Sequence, residues 1–219
     1  MIPGPDIIIS CPHCKGLAKH MSLVSGNTFG AKLWTDGKQI APMLPRPPAV
    51  VKCCHCRGFY WLHQAKAIGK VSWETSDWQP PRLNRESAPE IKELTEKEYY
   101  AAIEAKLAKT KAEEIALRRL AWWRKNDAFR GRARKNDGKV GVPKGAASAN
   151  LQALVGLIPG TRMSDRIMKA EILRELGEFK SAIKVLTTVT ASNYSWVVRQ
   201  IKELCKSKNT RVKELKFDN

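Results

Sequence analysis

The chain has 219 residues, of which 43% are hydrophobic, enough to form one large or two small domains with an apolar core. Its 39 Lys and Arg residues against 21 Asp and Glu residues give a net charge of +18, which attracts phosphate-rich or acidic partners without selecting one class. The sequence has no apolar run of about 18 residues that would span a membrane, and residues 1–10 lack the basic start of a signal peptide. We therefore expect a cytoplasmic protein with no membrane partner.

Residues 1–78 contain five of the six cysteines, all four histidines and four of the seven tryptophans. Their composition is typical of short strands and loops, and predicts a small β domain. Within it, Asp36-Gly37 favours a two-residue turn, so we expect a hairpin over residues 32–40 with Trp34 on its buried face. Residues 42–48 contain four prolines, which predicts an extended loop leading to the second cysteine pair.

A linker is predicted over residues 79–94, where prolines interrupt any regular element. Thr95 followed by Glu98 is the pattern of a capping box, and apolar residues at helical spacing continue to Phe129. Residues 95–130 are therefore predicted to form one long helix or a helical hairpin broken near Thr110.

The segment from 124 to 144 is the densest in positive charge, with eight basic residues and two acidic ones. Its glycines predict a flexible basic loop over residues 131–145. This segment is the first candidate for contact with phosphate, and a solvated loop is the alternative interpretation. The candidate nucleic-acid-binding residues are Arg124, Lys125, Arg130, Arg132, Arg134 and Lys135.

Residues 146–219 are predicted to be helical, and small and apolar residues between Ala170 and Leu186 follow the packing pattern of a helical hairpin. Gly177 is expected to end its first helix. The pattern resembles a tetratricopeptide repeat unit, and a generic helical bundle is the alternative. The predicted helices are Ala147–Ile158, Ser164–Leu176, Phe179–Val189 and Tyr194–Lys206.

Two cysteine motifs repeat each other: residues 11–16 read Cys-Pro-His-Cys-Lys-Gly and residues 53–58 read Cys-Cys-His-Cys-Arg-Gly. In such a turn, a zinc knuckle, two thiolates converge on one metal ion, and the glycine is expected to accept the left-handed φ that ends the turn. The basic residue adds positive charge near the thiolates. The motifs predict one structural Zn²⁺ with four ligands, Cys11, Cys14, Cys53 and Cys56.

Four cysteine ligands fill the coordination sphere of zinc and leave no position for an activated water, which predicts a structural site. The alternative is a set of buried or redox-active cysteines, but a thioredoxin-like site has one Cys-x-x-Cys in a βαβ setting. His13, His55 and Cys54 occupy interior positions of the knuckles, so we do not expect them to be ligands.

Aromatic residues follow the second knuckle at Phe59, Tyr60 and Trp61, and two more, Trp122 and Trp123, lie among basic residues. Core packing is the simpler interpretation of both groups, because small domains need large apolar side chains. Stacking on bases or contact with an acidic partner is the alternative.

The chain resembles a group of bacterial zinc-ribbon proteins that have no assigned activity. The resemblance consists of the first knuckle, the Trp-Thr-Asp-Gly-Lys hairpin at residues 34–38, the proline-rich return, and a second Cys-x-x-Cys followed by aromatics. It extends less well to residues 166–186. It implies a zinc ribbon and a helical C-terminal half, and it implies no substrate. Cys54 stands where the group usually has proline.

The sequence as a whole predicts an α+β protein, with a small N-terminal β zinc ribbon followed by an all-α helical-hairpin region. It contains no Gly-rich phosphate loop, no His-Glu-x-x-His motif and no nucleophile elbow, so we expect no enzymatic activity and no small-molecule substrate. A non-enzymatic adaptor with a protein partner is the first functional hypothesis. A zinc-ribbon nucleic-acid-binding protein is the second.

Overall fold

The computed structural model describes residues 1–71, 88–130 and 143–217. In these residues strands come first and helices follow, which confirms the α+β class. The chain divides into two compact units, the first formed by Met1–Ala31 with Ala41–Glu98 and the second by Lys32–Ile40 with Tyr99–Asn219. The strands are β1 (Ile2–Ser10), β2 (Leu17–Ser25), β3 (Lys32–Leu33), β4 (Gln39–Ile40), β5 (Val50–Lys52), β6 (Phe59–Trp61) and β7 (Lys66–Val71).

The first unit contains two antiparallel sheets, one of three strands in the order β2-β1-β7 and one formed by β5 and β6. In the central strand, Ile8 lies opposite both Lys19 of β2 and Gly69 of β7. The pairing of β1 with β2 shifts register between Ile2 and Pro3 and between Gly4 and Ile7. Proline has no N–H for the ladder, which explains why these irregularities accompany the Pro-Gly-Pro start of β1.

Residues 88–94, part of the predicted linker, lie along β2. The N–H of Lys19 donates to the carbonyl of Pro89 at 2.9 Å, and the N–H of Ile91 donates to the carbonyl of Lys19 at 2.9 Å. Ile91 packs against the core of the first unit, and Leu94 is 2% exposed. This segment is therefore ordered because its backbone and side chains have partners. Residues 79–87 of the predicted linker lie outside the described residues.

The predicted hairpin is present, with Gly37 at φ +77° and Trp34 buried. It groups with the second unit, although it was predicted within the ribbon domain of residues 1–78. The reason is its hydrogen bonds: the N–H of Thr35 donates to Lys213 at 2.8 Å, and the N–H of Leu215 donates to Leu33 at 2.8 Å.

The predicted helical stretch from 95 to 130 consists of two helices. Thr110 is the N-cap of the second helix, and its hydroxyl accepts a hydrogen bond from the Glu113 N–H at 3.2 Å. The predicted capping box at Thr95 is also present, with its Oγ1 accepting from the Glu98 N–H at 3.3 Å. The helices are α1 (Glu96–Glu104), α2 (Lys111–Asn126), α3 (Ala146–Leu157), α4 (Met163–Glu175), α5 (Phe179–Leu186) and α6 (Ser195–Lys206).

Two clusters of buried side chains stabilise the helices of the second unit. Alanines let α4, α5 and α6 approach closely around Leu186 and Ile201, which are both 0% exposed. The second cluster joins α2, α3 and α4 around Trp122. Gly177 follows the end of α4 with φ +82°, as expected for the glycine that ends this helix. The tetratricopeptide-like arrangement stays a prediction. No helix of the described residues has the length and apolar character needed to cross a membrane.

Candidate metal centre

The two knuckles have the same backbone hydrogen bonds, each closing a tight turn. In the first, the N–H of Cys11 donates to Gly16 at 2.9 Å and the N–H of Lys15 donates to Cys11 at 3.0 Å. The corresponding bonds of the second knuckle, from Cys53 to Gly58 and from Arg57 to Cys53, are 2.9 and 3.0 Å long. The first turn connects β1 with β2, and the second connects β5 with β6. The repeat seen in the sequence is therefore a repeat in backbone structure.

The four predicted ligands converge on one point. Their Sγ atoms all lie within 4.8 Å of one another, and two pairs taken across the knuckles, Cys11–Cys56 and Cys14–Cys53, are 3.9 and 3.6 Å apart. A tetrahedron of sulfurs at the usual Zn–S distance of about 2.3 Å has edges of about 3.8 Å. A disulfide requires about 2.05 Å, and all four thiols are free. The residues are thus positioned to bind one metal ion through four sulfurs.

The two buried cysteines of this set differ in how readily they ionise. Burial raises the pKa of the Cys11 thiol to about 12. Burial also opposes ionisation of Cys53, but backbone hydrogen bonds from Cys56 and His55 and side-chain hydrogen bonds from Cys14 and Cys11 lower its pKa to about 7. Cys53 therefore ionises more readily than an ordinary cysteine, and Cys11 less readily. A divalent metal ion supplies positive charge to thiolate ligands.

The expectation that glycine takes the left-handed conformation of the knuckle is wrong. The positive φ angles belong to Lys15 and Arg57, at 63° and 62°, one residue before each glycine. A non-glycine residue in this region is destabilised by about 1 kcal/mol or more, so the surrounding turn must compensate.

His13 and His55 hydrogen-bond to backbone carbonyls through Nε2 and do not belong to the group of candidate metal ligands. Cys54 is exposed and lies outside the group as well. Cys205 is in the helical core, where burial raises the pKa of its thiol to about 11. The structure thus places these residues outside the group of converging sulfurs.

Three of the six candidate nucleic-acid-binding residues, Arg124, Lys125 and Arg130, lie in the part of the chain that the structure describes. Lys125 Nζ lies 3.5 Å from Glu175, and an Arg124 nitrogen lies 3.7 Å from Asp127. Arg130 is 2% exposed at its side chain and forms an ion pair with Asp36, so its guanidinium is not a surface group. Arg132, Arg134 and Lys135 lie outside the described residues.

A buried polar network in the second unit was not predicted. The carboxylate of Glu175, fully buried, accepts from Trp122 Nε1 at 2.9 Å and from Asn126 Nδ2 at 2.8 Å. Asn126 also donates to Asp36 at 3.0 Å. Core packing of at least one of Trp122 and Trp123 was predicted, and Trp122 is the buried one, 1% exposed. No local pattern distinguishes its polar partners from surface residues.

Comparisons with protein-family models, with curated proteins and with solved structures find no match to this chain. The resemblance to bacterial zinc-ribbon proteins therefore stays a prediction. The case for a metal site depends on the convergence of the four sulfurs.

Proposed function

We propose that this is a zinc-ribbon protein in which one structural Zn²⁺ joins the two knuckles. The observation that supports this most directly is the set of four thiols within 4.8 Å, with two cross-knuckle distances close to the edge of a zinc–sulfur tetrahedron. Cys11 and Cys53 are buried at the start of each knuckle, and Cys14 and Cys56 are exposed. Bound zinc would link turns that are about 40 residues apart in the chain.

Metal analysis of the purified chain tests this proposal. Tetrahedral thiolate sites bind zinc or iron, so both metals are quantified and the visible spectrum is recorded. We expect about one zinc per chain and no visible absorption, because zinc has a filled d shell. Iron at similar stoichiometry, or no metal after purification and after addition of Zn²⁺ to the reduced protein, would contradict the proposal.

We further propose that the protein is a non-enzymatic adaptor. Four protein ligands leave zinc no open position for substrate, which supports a structural rather than a catalytic role for the first unit. In the second unit, a groove of about 400 Å³ lies beside α6. Its charged lining consists of three basic residues and one acidic residue, next to apolar Val189 and Val198: Arg199, Lys202, Lys206 and Glu203. An acidic protein segment with some apolar side chains fits this lining.

Nucleic acid is the second candidate partner. The described residues of the second unit contain 24 Lys and Arg residues against 11 Asp and Glu residues, so the positive charge extends well beyond the segment from 124 to 144. This favours contact with phosphate along the helices rather than through Arg130, which is paired.

Capture of partners with the purified, zinc-analysed chain, with and without nuclease, separates the two candidates. The adaptor proposal expects a protein that is retained after nuclease treatment. Loss of every partner on nuclease treatment, together with binding of DNA or RNA at about 50 mM salt that weakens steeply with added salt, would favour the nucleic-acid candidate.

A further inference from the structure

The imidazole of each knuckle motif hydrogen-bonds to a backbone carbonyl just after the other knuckle. Nε2 of His13, in the first knuckle, lies 3.2 Å from the carbonyl oxygen of Phe59, which follows the second. Nε2 of His55, in the second knuckle, lies 3.0 Å from the carbonyl oxygen of Leu17, which follows the first. A carbonyl oxygen only accepts hydrogen bonds, so each imidazole carries a proton on Nε2 and donates it. The knuckles are thus joined in both directions.

Each imidazole also covers the glycine of the opposite knuckle. A Cβ atom on Gly16 would lie 2.3 Å from Cδ2 of His55, and one on Gly58 would lie 3.3 Å from Cδ2 of His13. Contacts under 3.0 Å essentially never occur for a real Cβ, so the first position excludes a side chain and the second is tight. Both glycines are outside the set of positive-φ residues, so close neighbours rather than the backbone conformation restrict these positions. The imidazole is the nearest neighbour in each case, and Cys14 Sγ would also lie 3.2 Å from a Cβ on Gly16.

The metal site needs an exact spacing between two turns that are distant in sequence. The sulfur pairs Cys11–Cys56 and Cys14–Cys53 both run across the knuckles, at 3.9 and 3.6 Å. The hydrogen bonds and the imidazole–glycine contacts run across the same gap. They set the separation of the two turns without occupying a coordination position on the metal.

We propose that His13 and His55 are positioning residues of the metal site, each fixing the opposite knuckle through its hydrogen bond and its contact with glycine. We call the two imidazoles and the two glycines the histidine clasp. The inference rests on the proposed zinc site and adds a reason for the whole repeated motif: each copy supplies two thiolates, one imidazole for the other copy and one glycine to receive it. Neither histidine binds the metal.

A double-mutant cycle tests the clasp. The variants are Gly16→Ala, His55→Ala and the pair of substitutions together, with transfer of Zn²⁺ to a chromophoric chelator as the measurement. We expect each single variant to release zinc about 10- to 100-fold faster, the usual effect of losing a residue that supports metal ligands. The double variant should release zinc more slowly than the product of the two single effects predicts, because the imidazole contact is gone and only the approach of the added methyl group to Cys14 Sγ, at 3.2 Å, is left. Multiplicative effects would overturn the clasp.

Four further variants control for general loss of structure. Gly58→Ala should have a smaller effect than Gly16→Ala, because its Cβ would lie 3.3 Å from the imidazole of His13, whereas that of Gly16→Ala would lie 2.3 Å from the imidazole of His55. If Gly16→Ala does not fold, the same cycle is measured with Gly58→Ala and His13→Ala. His55→Gln, which keeps an N–H donor near the same place, should recover part of the loss. His63→Ala, an exposed histidine of the same unit stacked on Trp61, should leave zinc release unchanged; faster release would count against a specific clasp.

The same cycle is measured on the free energy of unfolding of the purified chain. A wild-type chain that binds no zinc contradicts the proposed function, and the unfolding cycle still decides the clasp. A zinc-loaded wild type in which Gly16→Ala and His55→Ala act independently contradicts the clasp alone.

Discussion

Arg130 and Asp36, 94 residues apart in the chain, form a buried ion pair in which the guanidinium donates to both carboxylate oxygens. Their side chains are 2% and 0% exposed. Asp36 also accepts from Asn126 Nδ2 at 3.0 Å, and its backbone carbonyl accepts from Trp123 Nε1 at 2.9 Å. These contacts fix the β3–β4 turn beside the end of α2 within the second unit.

Loss of the Asp36 carboxylate leaves two guanidinium nitrogens of the buried Arg130 without their acceptor, while its Nε keeps the hydrogen bond to Asp127 at 2.9 Å. We expect Asp36→Ala to lower the free energy of unfolding by about 1–3 kcal/mol, measured by chemical denaturation with tryptophan fluorescence. The control is an exposed ion pair of the same unit, in which Lys32 Nζ and Glu214 lie 3.0 Å apart with side chains 55% and 29% exposed. Lys32→Ala should cost less than about 1 kcal/mol. Equal losses would contradict the importance of burial.

Glu175 gives the second unit a distinct dependence on pH. Burial raises the pKa of its carboxyl to about 7 from the ordinary 4.5, and Lys125 opposes this shift. Between these two values the folded chain holds a proton that the unfolded chain releases, so the free energy of unfolding falls as the pH rises. The stabilising contribution is complete below about pH 4.5 and lost as the pH passes about 7.

Glu175→Gln removes this titration. We expect the difference in unfolding free energy between wild type and variant to change steadily from pH 4.5 to 7, with wild type losing stability relative to the variant. Chemical denaturation at fixed pH steps measures it. Protonation of the cysteines affects both proteins alike, so the difference isolates Glu175. Parallel stability curves across this window would show that Glu175 does not titrate there.

The sequence predicted correctly those features that depend on residues close together in the chain. The cysteine repeat, the Asp36-Gly37 turn and the Thr95 capping box each depend on residues within a few positions of one another, and all are present. The placement of the hairpin was missed because Thr35 and Lys213 are 178 residues apart, and two-residue strands carry little pairing information. The two ligand cysteines of each knuckle also lie within one short motif, so the sequence identified them as candidate ligands.

Buried polar residues were missed for a different reason. Asp, Asn and Glu are normally exposed, and only tertiary partners compensate their burial. Glu175 follows Arg174 in a helix with no local signal that both are 0% exposed. The histidines did carry a signal, because the same residue occupies the same position in both knuckles. From that repetition we predicted only that the histidines are not ligands, and the contacts add their packing across the knuckles.

Cys54 and Cys56 provide a matched test of the ligand set, because they are exposed cysteines of the same knuckle and only Cys56 belongs to the four-sulfur group. We expect Cys56→Ser to lose bound zinc and part of the stability of the first unit, since a three-thiolate site binds zinc more weakly and a ligand that binds the folded state stabilises it. Cys54→Ser should keep about one zinc per chain. Metal analysis and circular dichroism measure both effects. Zinc loss in Cys54→Ser alone would reassign the ligand.

Glu98 should respond to pH in the opposite sense from Glu175. Hydrogen bonding from the Thr95 N–H at 3.0 Å, and then from Lys52 at 3.0 Å, lowers the pKa of its carboxyl to about 2 from 4.5, against a small opposing effect of burial. A lowered folded pKa stabilises the protein above about pH 4.5, and this contribution is lost as the pH falls toward 2. Glu98 is therefore ionised throughout the range in which Glu175 titrates.

Glu98→Gln removes the charge from a capping box and from the ion pair with Lys52, whose side chains are 30% and 24% exposed. We expect a loss of about 1–2 kcal/mol in the zinc-loaded protein, in the range of helix caps. The loss should be the same at pH 5 and pH 7, because the pKa of Glu98 lies well below both values. Glu104→Gln, an exposed glutamate at the end of α1, should change stability little. A penalty for Glu98→Gln that shrinks between pH 7 and pH 5 would mean that the Thr95 and Lys52 contacts do not hold the carboxylate ionised.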